Sequence, residues 1–496
     1  MFTKNIKKVE TESKVNILGA APKVPPKEKG AIIALSLVFA TVSIIIITGI
    51  VSWFGAVLHL SRNAFDNERA FQIAESGIDY YRWHLAHDDQ DFQDGTGSEG
   101  PYVHDFLNKT GDKVGEFSLN IIPPVNGSTV VVIESTGTVD TNPEVSRTIR
   151  VKLAKPSFAK FAFVSASEMR FGEGTEVFGS IHSNGGIRFD GFANNVVSSA
   201  KEFYDDPDHS GAYEFGVHTH ISPTDPVYPN SVPVREDVFG AGREFPVPAV
   251  DFDGIISNIS EMKSLGQSSN GFYQGPSGNR NYGYEVTLRN DGFFEVRQVR
   301  SLESYSNSCR TTWQEDWGTW SVDRTRSASV YPYPENGVMF FEDDIWIKGQ
   351  VDTERITIVA AAFPDTPSNR KSITINEDVL YTNYDGQDVI SMIAQKNINV
   401  GMISENDLRV DGALIAQKGR VGRFYYGSGC SPYNHRNVMT VNGMIGSNGR
   451  YGFAYTDNTG YDLRNIIYDS NLLFAPPPEF PLTTEHYETI SFEEVY

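Results

Sequence analysis

Apolar residues gather into one unbroken block near the start of the chain and alternate with polar ones almost everywhere after it. From Ala31 to Ser61 no residue carries a formal charge. Built as a helix at ~1.5 Å per residue, that block reaches ~46 Å, longer than the ~30 Å hydrocarbon slab of a bilayer, so one membrane span is predicted. Beyond Arg62 an amphipathic stripe begins: in "NAFDNERAFQIAESGIDYYRWHLAH", Ala64, Phe71, Ile78 and Leu85 recur at heptad spacing, and Ala74 and Tyr81 fill the other seam. No proline interrupts the run to His87, and Gly77 is tolerable inside a helix, so span and stripe are predicted as one helix over residues 31–87.

After the loop "HDDQDFQDGTGSEG" the period shortens to two. The runs "VGEFSLNIIPPVNGSTVVVIESTGTV" and "SRTIRVKLAK" predict a small antiparallel sheet within residues 88–155. From Phe158 onward come short alternating runs such as "EVFGSIHSNGGIRFDG", "DLRVDGALIAQKGRVG" and "MTVNGMIGSNGRYGFAY", each closed by a residue suited to positive φ. Their irregular spacing argues against a propeller and for a parallel β-helix with rungs in 156–200 and 331–475; a β-sandwich is the alternative, because period alone does not fix strand direction. Residues 201–330 read as an insertion. Prolines mark 201–250 as an extended loop, and in 251–330 Ile255, Ile256, Ile259, Met262 and Leu265 at helical spacing precede the hairpin-like "YGYEVTLRNDGFFEVRQV". Residues 476–496 are expected as a C-terminal tail. The predicted class is mainly β with one long N-terminal helix.

Charge assigns an orientation to this layout. The chain of 496 residues carries a formal net charge of -21, yet residues 1–30 hold seven lysines against three acidic residues. Lysines before the span and few cations after it place the N-terminus in the cytoplasm and the rest outside. The mean hydropathy of -0.32 fits a soluble body on one anchor. So acidic a body repels phosphate backbones, which excludes nucleic acid as the expected partner.

The junction "KEKG" followed by "AIIALSLVFA", the long apolar helix and the segment "ERAFQIAESGI" together resemble the N-terminal helix of type IV pilus minor pilins of the PilX kind. The resemblance covers residues 27–87. It implies cleavage after Gly30 by a prepilin peptidase, Ala31 as the first mature residue, and a helix carrying Leu35, Phe71, Ala74, Glu75 and Ile78 that packs with other pilin subunits. Leu35 occupies the fifth mature position, where pilins generally keep a glutamate, which points to a minor or tip subunit rather than the polymer-forming one. The outer portion is similar, more loosely, to β-helical ectodomains of PilX-like proteins. The resemblance thus implies a bacterial single-pass membrane protein with a surface domain serving pilus or pseudopilus assembly or adhesion, with a surface glycan or a partner cell as possible targets.

Chemistry is sparse by comparison. Asp343, Asp344, Asp352, Asp378 and Asp411 are the carboxylates a membrane-tethered β-helical polysaccharide lyase or hydrolase would use, and that is the alternative function; each sits near a strand end, where Asp is a common turn residue, so no catalytic residue is expected. "HTH" sets His218 and His220 on one side of a strand with His209 and Glu214 nearby, but no second ligand pair follows at a zinc spacing. Asp205, Asp206 and Asp208 lack the spacing and closing glutamate of a calcium loop. No metal or cofactor is expected. Trp313, Trp317 and Trp320 offer aromatic faces for sugar rings or filling for a core. Cys309 and Cys430 lie on the oxidising side; a disulfide and two buried thiols both remain open, and a bond would staple the insertion to a late rung.

Overall fold

The computed structural model describes residues 29–124, 129–155, 157–250, 252, 259–480, 482 and 486–495. Residues 1–28 of the expected leader, and Ile255 and Ile256, lie outside the described residues. Contacts divide the chain into two units, residues 1–68 and 69–496. Helix α1 (Lys29–His87) is the first element.

In the first unit the apolar side chains of α1 are exposed: Leu35 by 65%, and the most apolar window has a mean hydropathy of 2.6 with no residue buried. Three of its hydroxyls, on Ser36, Thr41 and Thr48, bond back to the helix's own carbonyls. Ser36 Oγ donates to the carbonyl of Ile33 at 2.9 Å, and Thr41 Oγ1 to that of Val38 at 2.9 Å. Such back-bonding satisfies polar groups without water, as a lipid environment requires.

In the second unit, from Arg69, α1 is amphipathic. Ala70, Ile73, Ala74, Ile78, Tyr81 and Leu85 are buried against an antiparallel sheet. The sheet runs in the order β1 (Tyr102–Leu107), β2 (Lys113–Ile122), β3 (Val131–Val139), β4 (Asn142–Ala154) and β5 (Glu488–Val495). Along β3 alternate residues are buried, so Val131 and Ile133 meet the helix. The seam differs from the heptad reading, because Ala64 is exposed while Ala70 and Ile73 are buried. A sheet presents a broad face rather than a single partner helix, and the helix meets it with a wider stripe of 3.6 period. Glycines bring the two layers close. A side chain at Gly137 would collide with the backbone of Ala70 and Ala74, and one at Gly77 with Ser135 and Phe117.

The segment expected as a tail supplies β5. Glu488–Val495 pairs antiparallel with β4, with Phe492 opposite Val151, and Arg150 bridges Glu493 at 3.1 Å and Glu134 at 2.7 Å. The alternation in "ETISFEEV" carries this strand, and the outer edge of β4 offers it unpaired backbone groups.

Beyond Ser157 most strands pair in parallel and in register, as a β-helix requires and antiparallel sandwich sheets do not. Val338–Phe341, Arg355–Ala360, Val389–Ala394, Asp407–Ala416 and His435–Ser447 succeed one another in one column. Val359, Ile393 and Ile415 thereby form a buried row. Each such side chain contributes about 1.5–3 kcal/mol by leaving water. The spatial order of rungs differs from chain order: Phe163–Ser165 pairs with His435–Ser447, and Thr175–Phe178 with Gly460–Tyr468. The first rungs therefore lie on the last ones, while the chain between them begins its own rungs elsewhere.

The expected insertion is partly absorbed into the stack. Phe272–Gln274 pairs in parallel with Val338–Phe341, and Gly283–Leu288 pairs in parallel with Ile345–Val351 while forming a hairpin with Phe293–Leu302. Helix α2 (Ile259–Gly266) buries Ile259 and Met262 in the same cluster as Phe340. In the proline-rich loop, Val217–His218 adds a short parallel strand to Ile187–Phe189. Prolines exclude long ladders but leave room for two-residue strands.

Candidate functional site

Gly30 and Ala31 lie in the first turn of α1. Leu35 is exposed, as is Glu75. Ala74 and Ile78 are buried in the body's core, and Phe71 is half-buried with its ring 6.4 Å from that of Phe492 and the Arg147 guanidinium 5.8 Å above it. The residues named for the helix thus separate into two groups. Phe71, Ala74 and Ile78 hold the sheet, whereas Leu35 belongs to an apolar surface that no described residue of its own unit covers.

The five stack carboxylates are engaged with neighbouring groups. Asp411, fully buried, accepts from Tyr381 N at 3.0 Å, Tyr384 OH at 2.7 Å and Arg409 Nε at 2.9 Å. Asp378 accepts from Arg409 N at 2.7 Å and Asp352 from Asn383 Nδ2 at 2.9 Å. Asp343 accepts from Ser277 N and Oγ and from Lys371 Nζ. Burial works against its charge, but the Ser277 hydrogen bonds and Lys371 outweigh it and hold the carboxyl below its usual range. Asp344, bonded by Ser372 N at 2.7 Å, is instead pushed up to about 6, chiefly by burial. All five accept from a backbone N–H or side-chain amide far away in the chain, so they tie separate segments of the stack together rather than fix a local turn.

The three tryptophans occupy different surroundings. Trp313 is 65% exposed, its ring 5.5 Å from that of Tyr425. Trp317 is half-buried and donates to Tyr425 O at 2.8 Å, and Trp320 stacks on Phe424 at 6.2 Å. Both pack on a buried cluster of Met402, Phe424, Tyr426 and the two cysteines. Cys309 and Cys430 are joined in a disulfide with Cα atoms 4.6 Å apart. Of the three rings Trp313 is the one mostly exposed, while Trp317 and Trp320 are partly buried against the cluster around the disulfide. A cleft of about 430 Å³ adjoins Trp320 on its Ser321 and Trp346 side, lined by Glu285, Glu303, Asp323, Glu377 and Glu405 with Lys348 among them.

The proline-rich segment draws together residues that the sequence keeps apart. Asp206 and His209 lie in the connection between Phe203–Tyr204 and Glu214–Phe215, which pair antiparallel, and His218 follows on the strand laid against Ile187–Phe189. Candidate ligand atoms of Asp206, His209, His218 and His220 all lie within 4.8 Å of one another. Glu214 Oε1 stands 3.2 Å from His209 Nε2. Asp208 turns away to Arg450 and to Arg170 at 3.4 Å; burial opposes its ionisation, and these cations hold its carboxyl below the usual range nonetheless. Burial, helped by Arg188, lowers the basicity of His220. Asp206 as a partner of the histidines was missed in the sequence. The signal was "DPDH" ahead of "HTH", a carboxylate and an imidazole one turn apart preceding two imidazoles on one strand face.

A comparison with known protein families finds no match, and no curated protein matches either. Among solved structures the chain is similar to the competence-associated pilin ComZ from Thermus thermophilus, at 12% identity and a TM-score of 0.30, over 87% of this chain and 98% of that one. A likeness at that score carries no argument about fold or role.

Proposed function

We propose that this chain is a pilin-like, membrane-anchored surface protein, a minor or tip subunit of a type IV pilus or pseudopilus. The observation that carries this reading is helix α1. Its charge-free first part keeps every apolar side chain of its most hydrophobic window uncovered, and its later part, from Ala70, is spent on holding an antiparallel sheet. A simple anchor needs only the first of these; a subunit that leaves the bilayer for a fibre uses one helix for both. The "KEKG" junction before Ala31 supplies the processing point, and Leu35 in place of a glutamate suits a subunit present in few copies. The stack would then be the head offered to a surface glycan or another cell.

The test is N-terminal sequencing after co-expression with a prepilin peptidase. A new terminus at Ala31, lost in Gly30→Leu, is expected. An intact Met1 terminus in the presence of active peptidase would reduce α1 to an anchor.

A further inference from the structure

We propose that Asp206, His209, His218 and His220 form a binding site for a transition-metal dication, with zinc the best fit, and that Glu214 is its spare carboxylate. This goes beyond the reading of the chain as a pilus subunit and does not depend on it.

Four ligands at ~2.0–2.1 Å from one tetrahedral ion lie about 3.4 Å from each other. Here His218 Nε2 stands 3.5 Å from Asp206 Oδ2 and His209 Nε2 stands 3.8 Å from it. These separations are near those an ion would impose, and small side-chain rotations close the difference. The His218 ring centroid lies 5.1 Å from that of His220, and the His209 centroid 4.9 Å from His220. The rings surround one point.

A second observation is independent of spacing. Asp206 Oδ2, His218 Nε2, His209 Nε2 and Glu214 Oε2 are buried atoms with no hydrogen-bond partner. Asp206, Glu214 and His218 are 2%, 3% and 0% exposed. Burying such atoms unpaired costs about 1–3 kcal/mol each, and folded proteins rarely leave several in one place. An ion held by Asp206, His209 and His218 would satisfy three of them together, and Glu214 would remain beside it as the spare carboxylate.

Asp206 and His218 are steadied through their other polar atoms, and His220 through its backbone N–H. Asp206 Oδ1 accepts from Asp208 N at 2.9 Å, His220 N donates to Asp190 Oδ1 at 2.8 Å, and Tyr204 OH faces His218 Nδ1 at 3.5 Å. Arg188 lies 3.9 Å from Asp206 Oδ2 but is committed to Asp190 at 2.7 Å. Three imidazoles with one carboxylate suit zinc and its neighbours, whereas magnesium and calcium demand oxygen ligands. Asp206 and His209 come from a turn, His218 from a strand laid on the rungs and His220 from the chain just past it, so the ion would clip the proline-rich segment onto the rungs beneath it.

The experiment is calorimetric titration of the chelator-stripped full chain, in detergent, with zinc chloride, and with cobalt for the visible absorption of a tetrahedral centre. One ion per chain is expected, with a rise in melting temperature and no response to magnesium or calcium. His218→Ala and Asp206→Asn should each weaken zinc affinity at least tenfold, and His435→Ala, at an exposed position outside the cluster, should leave it unchanged. His220→Gln, at a partly exposed position, repeats the test if His218→Ala loses its far-ultraviolet circular dichroism. Absence of stoichiometric zinc, equal affinity in the cluster variants, or equal uptake of calcium would each overturn the assignment.

Discussion

Asp411, in the parallel stack, and Asp206, in the connection between two short antiparallel strands, are both buried carboxylates, yet they are held in opposite ways. Both oxygens of Asp411 are used, by a backbone N–H, a phenol and a guanidinium. Asp388 resembles it, accepting from the backbone of Glu354, Thr382 and Asn383. Asp206 has one oxygen on the backbone of Asp208 and leaves the other facing three imidazoles. Buried acids whose lone pairs are filled by their own chain serve the fold. A buried acid left half-filled beside histidines has capacity for something from outside.

The largest test of this contrast is Asp411→Ala. Removing the acceptor strands Arg409, Tyr384 and the Tyr381 N–H, and unfolding by urea should show a loss of about 3–5 kcal/mol. A loss under about 1 kcal/mol would erase the distinction. Asp344 is the intermediate case, a carboxylate with one backbone donor and Lys371 at 4.0 Å. Its carboxyl is pushed up to about 6 when folded. Between the ordinary value near 4 and about 6 the folded chain therefore holds more protons than the unfolded one, so stability falls as pH rises through that window and is level above it. Asp344→Asn keeps the acceptor for Ser372 N; it should flatten that slope and raise stability at neutral pH by roughly 2 kcal/mol, read from melts across the pH range. In metal-free protein Asp206→Asn should cost about 1–2 kcal/mol, because the hydrogen bond from Asp208 N survives in the amide while the charge facing His218, His209 and Arg188 is lost. The smallest effect belongs to Asp352→Ala, at a partly exposed turn, within about 0.5 kcal/mol in the same urea series.

Much of this was legible in the residues. The uncharged run to Ser61 and the stripe up to Leu85 give α1, and period-two runs with turn residues give the sheet and the rungs, because those patterns depend on neighbours a few positions away. Rung order does not. Every rung edge offers the same backbone ladder, so nothing local to Phe163 says that Ile445 will be its partner. The glycine contacts of α1 also stayed hidden: Gly77 reads as a tolerated defect until Ser135 and Phe117 are seen against it. The histidine cluster was half visible, since alternation in "HTH" puts His218 and His220 on one side although the strand ends at His218, while Asp206 and His209 reach them through a turn between two-residue strands that prolines disguise as loop.

Glu488, at the start of β5, is the register partner of Ala154, at the end of β4. Ser157 and the carbonyl of Leu472, near the entry and exit of the stack, are joined by a hydrogen bond of 2.8 Å. Everything between therefore occupies the place of a hairpin loop. Seen this way the head is a cartridge: evolution or an engineer could swap it for another, or for a tight turn, and the small sheet gripping the helix would keep all five of its strands.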